Sequence, residues 1–175
     1  VRTEFPDKIN LEINVEEKNT GEASVGAGYS SSNAASLNLG LRENNFLGKG
    51  QKVKFDTSFS DTRTAYDISL TEPYFNNKPL SLTSNLYSNF TDPSNVNYET
   101  EDLGFGLSTS FPLSTDRYLE LRYSLFTSKI KANSNATAYE NALAGTDTVS
   151  SLGYTLSFDR RNSRYKPSNG FNLKL

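Results

Sequence analysis

No Cys, His, Met or Trp occurs among the 175 residues. Without Cys there is no disulfide framework and no thiolate nucleophile, and without His there is no imidazole metal site and no Ser-His-Asp triad. Hydrolysis would fall to paired carboxylates, yet Asp56, Asp67, Glu72, Glu99, Glu101, Asp102 and Asp159 are scattered over separate segments. A non-enzyme with no cofactor, no catalytic residue and no metal site is therefore expected. An excess of one charge is missing too: 18 Lys and Arg stand against 20 Asp and Glu, a net of -2, with no basic block. Nucleic acid is not an expected partner. No apolar run of about 20 residues exists for a transmembrane helix, and no signal peptide is expected within the chain. The chain opens at Val1 rather than Met, so a fragment or a processed product is expected.

What is present is polar and patterned. Only 35% of the residues are apolar, while Ser, Thr and Asn together number 58. Leu, Ile, Val and Phe still total 41, beside 21 aromatics, so the polarity is organised rather than a sign of disorder. Ile9, Leu11, Ile13 and Val15 alternate with polar residues, as do Ala23, Val25, Ala27 and Tyr29 with Ser24, Gly26, Gly28 and Ser30. The same period of two recurs at Leu37, Leu39 and Leu41; Val53, Phe55 and Phe59; Tyr66, Ile68 and Leu70; and Leu80, Leu82, Leu86 and Phe90. It continues at Leu103, Phe105, Leu107 and Phe111; Leu119, Leu121, Tyr123 and Leu125; and Leu152, Tyr154, Leu156 and Phe158, and begins again at Phe171, Leu173 and Leu175. Helix would need apolar residues at i, i+3, i+4 and i+7, where these segments carry Lys, Asn or Ser. Strand is expected almost everywhere. The exception is Ser128 to Val149, expected to be a long loop with room for a short helix over Ala138 to Leu143.

Alternation alone permits a soluble sandwich as well as a membrane barrel. Segments of about ten residues, with Leu, Phe and Tyr on one face and Ser, Asn, Thr and Gly on the other, favour the barrel. Short links at Glu43 to Gly50, Glu72 to Pro79 and Pro112 to Asp116, with a longer one at Arg160 to Gly170, fall on one end of an up-and-down sheet. Longer polar links fall largely on the other. Phe46, Tyr74, Phe75, Phe111, Tyr118 and Tyr165 lie near strand ends, where an interfacial girdle would place them, although aromatics favour strands in any case. Lys52, Lys54 and Asp56 belong to the polar face.

The segment Glu43-Asn44-Asn45-Phe46-Leu47-Gly48-Lys49-Gly50 resembles the E-x-N-F-L-G-x-G segment of the BamA family of outer-membrane barrel assembly proteins and their mitochondrial relatives. Before it, Glu16 to Gly21 followed by Gly26 to Tyr29 looks like the junction between that family's last POTRA module and its barrel. After it, Pro73, Tyr74 and Phe75 resemble the family's P-Y-F turn. Asp159 and Arg161, with Pro167 and Gly170, resemble a later D-x-R, P-x-x-G turn. Each piece has a local reading of its own: Gly48 and Gly50 permit positive φ, Pro73 fixes a turn entry, and Gly170 allows a sharp return. Their joint order carries the resemblance.

The resemblance implies an all-β fold of antiparallel transmembrane strands, about eight or nine of about sixteen. Residues 1–20 would be the end of a POTRA module with its linker, and residues 21–175 the N-terminal half of the barrel. It further implies a bacterial outer-membrane assembly factor that folds and inserts β-barrel proteins without a nucleotide. Its implied partners are outer-membrane lipids, unfolded barrel proteins and accessory assembly lipoproteins. The strand Glu22, Ala23, Ser24, Val25, Gly26, Ala27, Gly28 and Tyr29, short and glycine-bearing, is then expected at a weak lateral seam where an incoming strand pairs. A two-partner secretion or autotransporter-assembly member of the same superfamily remains an alternative, as does a passive eight-stranded barrel.

Overall fold

The computed structural model describes residues 13–16, 18–30, 34–163 and 165–175. Nine strands form one antiparallel sheet in sequence order. They are β1 (Gly21–Ser30), β2 (Ala34–Phe46), β3 (Gln51–Ser60), β4 (Arg63–Glu72), β5 (Ser81–Thr91), β6 (Tyr98–Ser114), β7 (Arg117–Ala132), β8 (Gly145–Asp159) and β9 (Asn172–Lys174). One helix, α1 (Ala138–Leu143), lies between β7 and β8, where the sequence leaves room for it. The links 47–50, 73–80, 115–116 and 160–171 share one end of the sheet, the turn end. The links 61–62, 92–97 and 133–144 share the other, the loop end.

Register and alternation assign every strand side chain to a face. One cross-strand row reads Ala23, Leu41, Phe55, Ile68, Leu86, Phe105 and Leu125. The adjacent row on the opposite face reads Ser24, Gly40, Asp56, Asp67, Tyr87, Gly104 and Phe126. On the apolar face, charge is confined to two borders: Glu43, Glu72 and Arg117 at the turn end, and Glu99, Glu101, Lys129 and Lys131 at the loop end. Between these borders, the apolar face of β1 to β8 carries no Asp, Glu, Lys or Arg among the described residues. Arg42, Lys54, Asp56, Asp67, Asp102 and Arg122 all belong to the other face.

No described residue covers the apolar face. Leu103 is 67% exposed and Leu152 is 85% exposed, and among the described residues no apolar side chain is buried. A soluble sandwich would bury this face under a second layer; this sheet has none. Six glycines, Gly26, Gly28, Gly40, Gly104, Gly106 and Gly153, fall on the polar face, which becomes the crowded inside if the sheet closes. At Gly104 the vacated space is filled by the Tyr87 ring, and at Gly106 by the Asn85 amide.

The structure departs from the sequence reading in four places. The expected loop over Ser128 to Val149 shortens to the link 133–144, which holds α1, because β7 runs to Ala132 and β8 starts at Gly145. At and just before the border, pairs such as Ser128 with Asp147 and Lys129 with Thr146 are polar on both faces, so no hydrophobic alternation marks the strand. Of the expected strand at Ile9 to Val15, residues 9–12 lie outside the described residues, and Ile13 to Val15 pair with no described strand, which is why they form none. Tyr118 pairs with Pro112 on the polar face, not in a lipid-side girdle, since its neighbour Leu119 takes the apolar position opposite Phe111. Lastly, β1 spans ten residues, as do β3 and β4, so it is not short for this sheet.

Candidate functional site

The candidate strand-pairing segment, Glu22 to Tyr29, falls within β1, and β1 is an edge of the sheet. All ten of its residues pair with β2, from Gly21 opposite Glu43 to Ser30 opposite Ala34. Just before it, the Asn44 N–H donates to the Thr20 carbonyl at 3.2 Å, which makes Thr20 and Asn44 a hydrogen-bonded pair. The antiparallel ladder then alternates: Glu22, Ser24, Gly26 and Gly28 turn their N–H and C=O toward β2. Gly21, Ala23, Val25, Ala27 and Tyr29 turn theirs to the side on which no described strand lies. That side is a template of unpaired backbone groups. Its side chains add little packing: Ala23 and Ala27 are small, while Val25 is 75% and Tyr29 83% exposed. Gly26 and Gly28 contribute none.

The first turn motif lies beneath this edge and braces it. Thr20 donates its hydroxyl hydrogen to Oε1 of Glu43, which also accepts the Asn45 N–H at 2.8 Å. Asn44 Nδ2 donates to the Thr20 carbonyl at 3.0 Å. Asn45 Oδ1 accepts the Gly50 N–H at 2.7 Å and closes the turn over Phe46, Leu47 and Gly48. Gly48 and Gly50 have φ of 71° and 70°, as the sequence reading requires, and Leu47 unexpectedly shares that region at 55°. The second motif is tied to the first, because Gln51 Nε2 donates to Glu72 Oε2 at 2.8 Å. The other oxygen of Glu72 accepts the Tyr74 N–H at 3.1 Å, beside Pro73 and Phe75.

The third motif lies further along the turn end. Arg161 forks onto Asp159, Nε to Oδ1 and a terminal nitrogen to Oδ2, both at 2.8 Å. Arg160 Nε donates to Asp116 Oδ2 at 2.7 Å, joining the β8–β9 link to the β6–β7 turn. The Ser114 hydroxyl and then the Arg160 guanidinium hold the Asp116 carboxyl down at about 2, from an ordinary 3.8. Gly170 has φ of 98°, and a Cβ there would collide with the Arg160 carbonyl. Pro167 lies in the same link. At the loop end, Glu140 accepts the Thr137 N–H at 2.7 Å and the Asn97 N–H at 2.9 Å, clasping two loops. These backbone donors, the Thr137 one foremost, hold its carboxyl at about 2.

Thus the structure joins the first two turn motifs and places the third apart from them, across the same end of the sheet. Sequence reasoning gave no role of their own to Thr20, Asn44, Gln51, Asp116 and Arg160. Each acts through a partner on another strand or link, which no local pattern encodes. Among the described residues no three acidic side chains gather as a metal site would need.

A single antiparallel sheet with one uncovered, charge-free apolar face and one polar face is the wall of a membrane β-barrel. The chain belongs to the Omp85 superfamily, whose domain matches residues 45–175. It is 28% identical over 114 residues to the outer membrane protein assembly factor BamA of Neisseria meningitidis, covering 62% of this chain and 14% of that protein. It is 25% identical to BamA of Neorickettsia risticii over 94% of this chain and 23% of that protein. The human sorting and assembly machinery component 50 homolog is 27% identical over 82% of this chain and 30% of its own length. The crystal structure of Haemophilus ducreyi BamA lacking POTRA domains 1–3 superimposes with a TM-score of 0.64, at 24% identity, over 90% of this chain and 33% of that one. The chain therefore spans less than a third of the length of these relatives.

Proposed function

We propose that this chain is the N-terminal half of the barrel of an outer-membrane protein assembly factor, and that β1 is the strand on which incoming barrel proteins template their own. Localisation in the bacterial outer membrane accords with the charge-free apolar face and with the relatives. The observation that supports the templating reading is the thin side-chain packing along β1, where Ala23, Gly26, Ala27 and Gly28 add little to the ladder. Five residues there aim backbone N–H and C=O groups away from β2, and of their side chains only Val25 and Tyr29 are larger than a methyl group. Backbone pairing asks nothing of the guest's sequence, so one edge serves many substrates. In hydrocarbon an unpaired peptide group is costly, and pairing with β1 removes that cost without a nucleotide or a covalent step. Residues 1–20 belong, in this reading, to the end of a preceding POTRA module and its linker. Accessory lipoproteins would act from the turn end.

The chain's lack of Cys makes the test direct. In the full-length protein, single Cys residues at Ala23, Val25 and Ala27 are paired with single Cys residues along the terminal strand of a barrel substrate stalled during assembly. Disulfides that form in one register, shifting by two substrate residues for each two-residue step on β1, support the proposal. Crosslinks without register, or equal trapping from Cys at Leu103 on the middle of the wall, overturn it.

A further inference from the structure

The two turn motifs that Gln51 and Glu72 tie together enclose a cleft of about 840 Å³ on the apolar side of the sheet. Its floor is Leu70 and Leu82, the last apolar residues of β4 and β5 before the turn-end border. Its rim carries one charge of each sign, Lys49 and Glu72. Lys49 forms no direct ion pair among the described residues, and each Glu72 oxygen accepts only one hydrogen bond there, which leaves acceptor capacity on both. Tyr74, 67% exposed, and Phe75 complete the rim where hydrocarbon would give way to headgroups.

From this arrangement we infer a seat for one phospholipid with a zwitterionic phosphoethanolamine headgroup. The inference rests on the membrane-wall reading and goes beyond it. Lys49 offers a cation to the phosphodiester, and the Asn76 amide lies alongside it on the rim. Glu72 offers a carboxylate to the ammonium, whose N–H donors match its free lone pairs, while the acyl chains continue over Leu70 and Leu82. A phosphatidylglycerol headgroup would bring Glu72 no cation, and a choline headgroup would bring a cation with no N–H to donate. A lipid held here would brace both turns from outside, at the end of the sheet where the chain enters β1.

The test uses the full-length protein in nanodiscs of phosphatidylcholine doped with a phosphatidylethanolamine bearing a diazirine near the start of one acyl chain. Phosphatidylcholine and phosphatidylglycerol probes of the same design serve as comparisons, and labelled peptides are mapped by mass spectrometry. The expected result is ethanolamine-probe labelling concentrated on the peptide spanning 70–84, falling about tenfold in Lys49→Gln and in Glu72→Gln. The Lys49 variant alters an exposed turn side chain and leaves the Glu72 hydrogen bonds intact. Equal labelling of the cleft and of Leu86 and Leu103, indifferent to headgroup and variant, overturns the lipid seat and leaves the membrane wall standing. Labelling of neither region overturns the membrane wall and the seat with it.

Discussion

Asn44 donates both its backbone N–H and its side-chain amide to the single carbonyl oxygen of Thr20, at 3.2 and 3.0 Å. Thr20 returns a hydroxyl hydrogen to Glu43, so the entry to β1 is clasped from β2 by two consecutive motif residues. Replacing Asn44 with Ala removes the side-chain bond and keeps the ladder bond. The expected cost is about 1 kcal/mol, felt locally as faster amide exchange at Glu22 and Ser24 and unchanged exchange in β4 to β7. Hydrogen exchange of the folded protein checks this; equal acceleration across the sheet would mean that the clasp has no local role.

Proline distinguishes the two edges of β1. At Ala23 or Val25 it deletes an N–H aimed at the unoccupied side, and at Ser24 or Gly26 it deletes one aimed at β2. Val25→Pro is expected to keep β1 paired with β2 while abolishing substrate capture, whereas Ser24→Pro should release β1 from the sheet. Folding is read by heat-modifiable gel migration and capture by the crosslinking described above. Indistinguishable behaviour of the two variants would defeat the parity assignment.

Two motif glycines differ in what an alanine would meet. Gly48 has positive φ and no atom near a new Cβ, so Gly48→Ala carries only the conformational cost of about 1 to 2 kcal/mol. At Gly170 the same change adds a collision with the Arg160 carbonyl, and backbone cannot swing aside as a side chain can. Gly170→Ala is therefore expected to disrupt the β8–β9 link and to lower the denaturation midpoint well beyond Gly48→Ala.

The pattern of residues made much of this visible in advance, for physical reasons. Leu37, Leu39 and Leu41 alternate because one face meets hydrocarbon, and positive φ at Gly48 follows from a tight turn in a left-handed backbone conformation that glycine adopts most readily. Helix α1 was marked only as a place where a helix would fit, and it is fixed by a capping box between Thr137 and Glu140. Legibility ended where both faces are wet, as in the Lys129 to Ala132 extension of β7. It also ended where contacts depend on register: Thr20 meets Asn44 because a whole hairpin intervenes, and Asp116 meets Arg160 across two strands. The side to which each β1 amide points is likewise a property of the ladder and not of composition.

Acid should loosen the turn end. The Asp116 carboxyl is held at about 2 in the folded chain against an ordinary 3.8, so the folded state favours its ionised form. Its contribution is complete above the unfolded value and is lost as pH falls from about 4 toward 2. Amide exchange at 115–116 and 160–162 is expected to accelerate over that window at constant salt. Asp116→Asn should flatten the response there while leaving the Glu140 loop clasp, which titrates in the same direction, unchanged.

The face assignment predicts opposite fates for neighbouring substitutions on β2. Leu39 lies mid-band between Val25 and Thr57 on the uncharged face, and Asn38 lies beside it between Gly26 and Ser58 on the polar one. Arg at Leu39 would stand in hydrocarbon, at an expected cost of about 2 to 4 kcal/mol near the bilayer midplane. Arg at Asn38 would extend from the polar face, the face to which Asp67 and Asp102 also belong. Folding titrations of the full-length protein into vesicles measure both. The order Leu39→Arg much less stable than Asn38→Arg follows only if lipid meets the Leu39 side; the reverse order would require turning the sheet inside out, and with it the direction in which β1 could open.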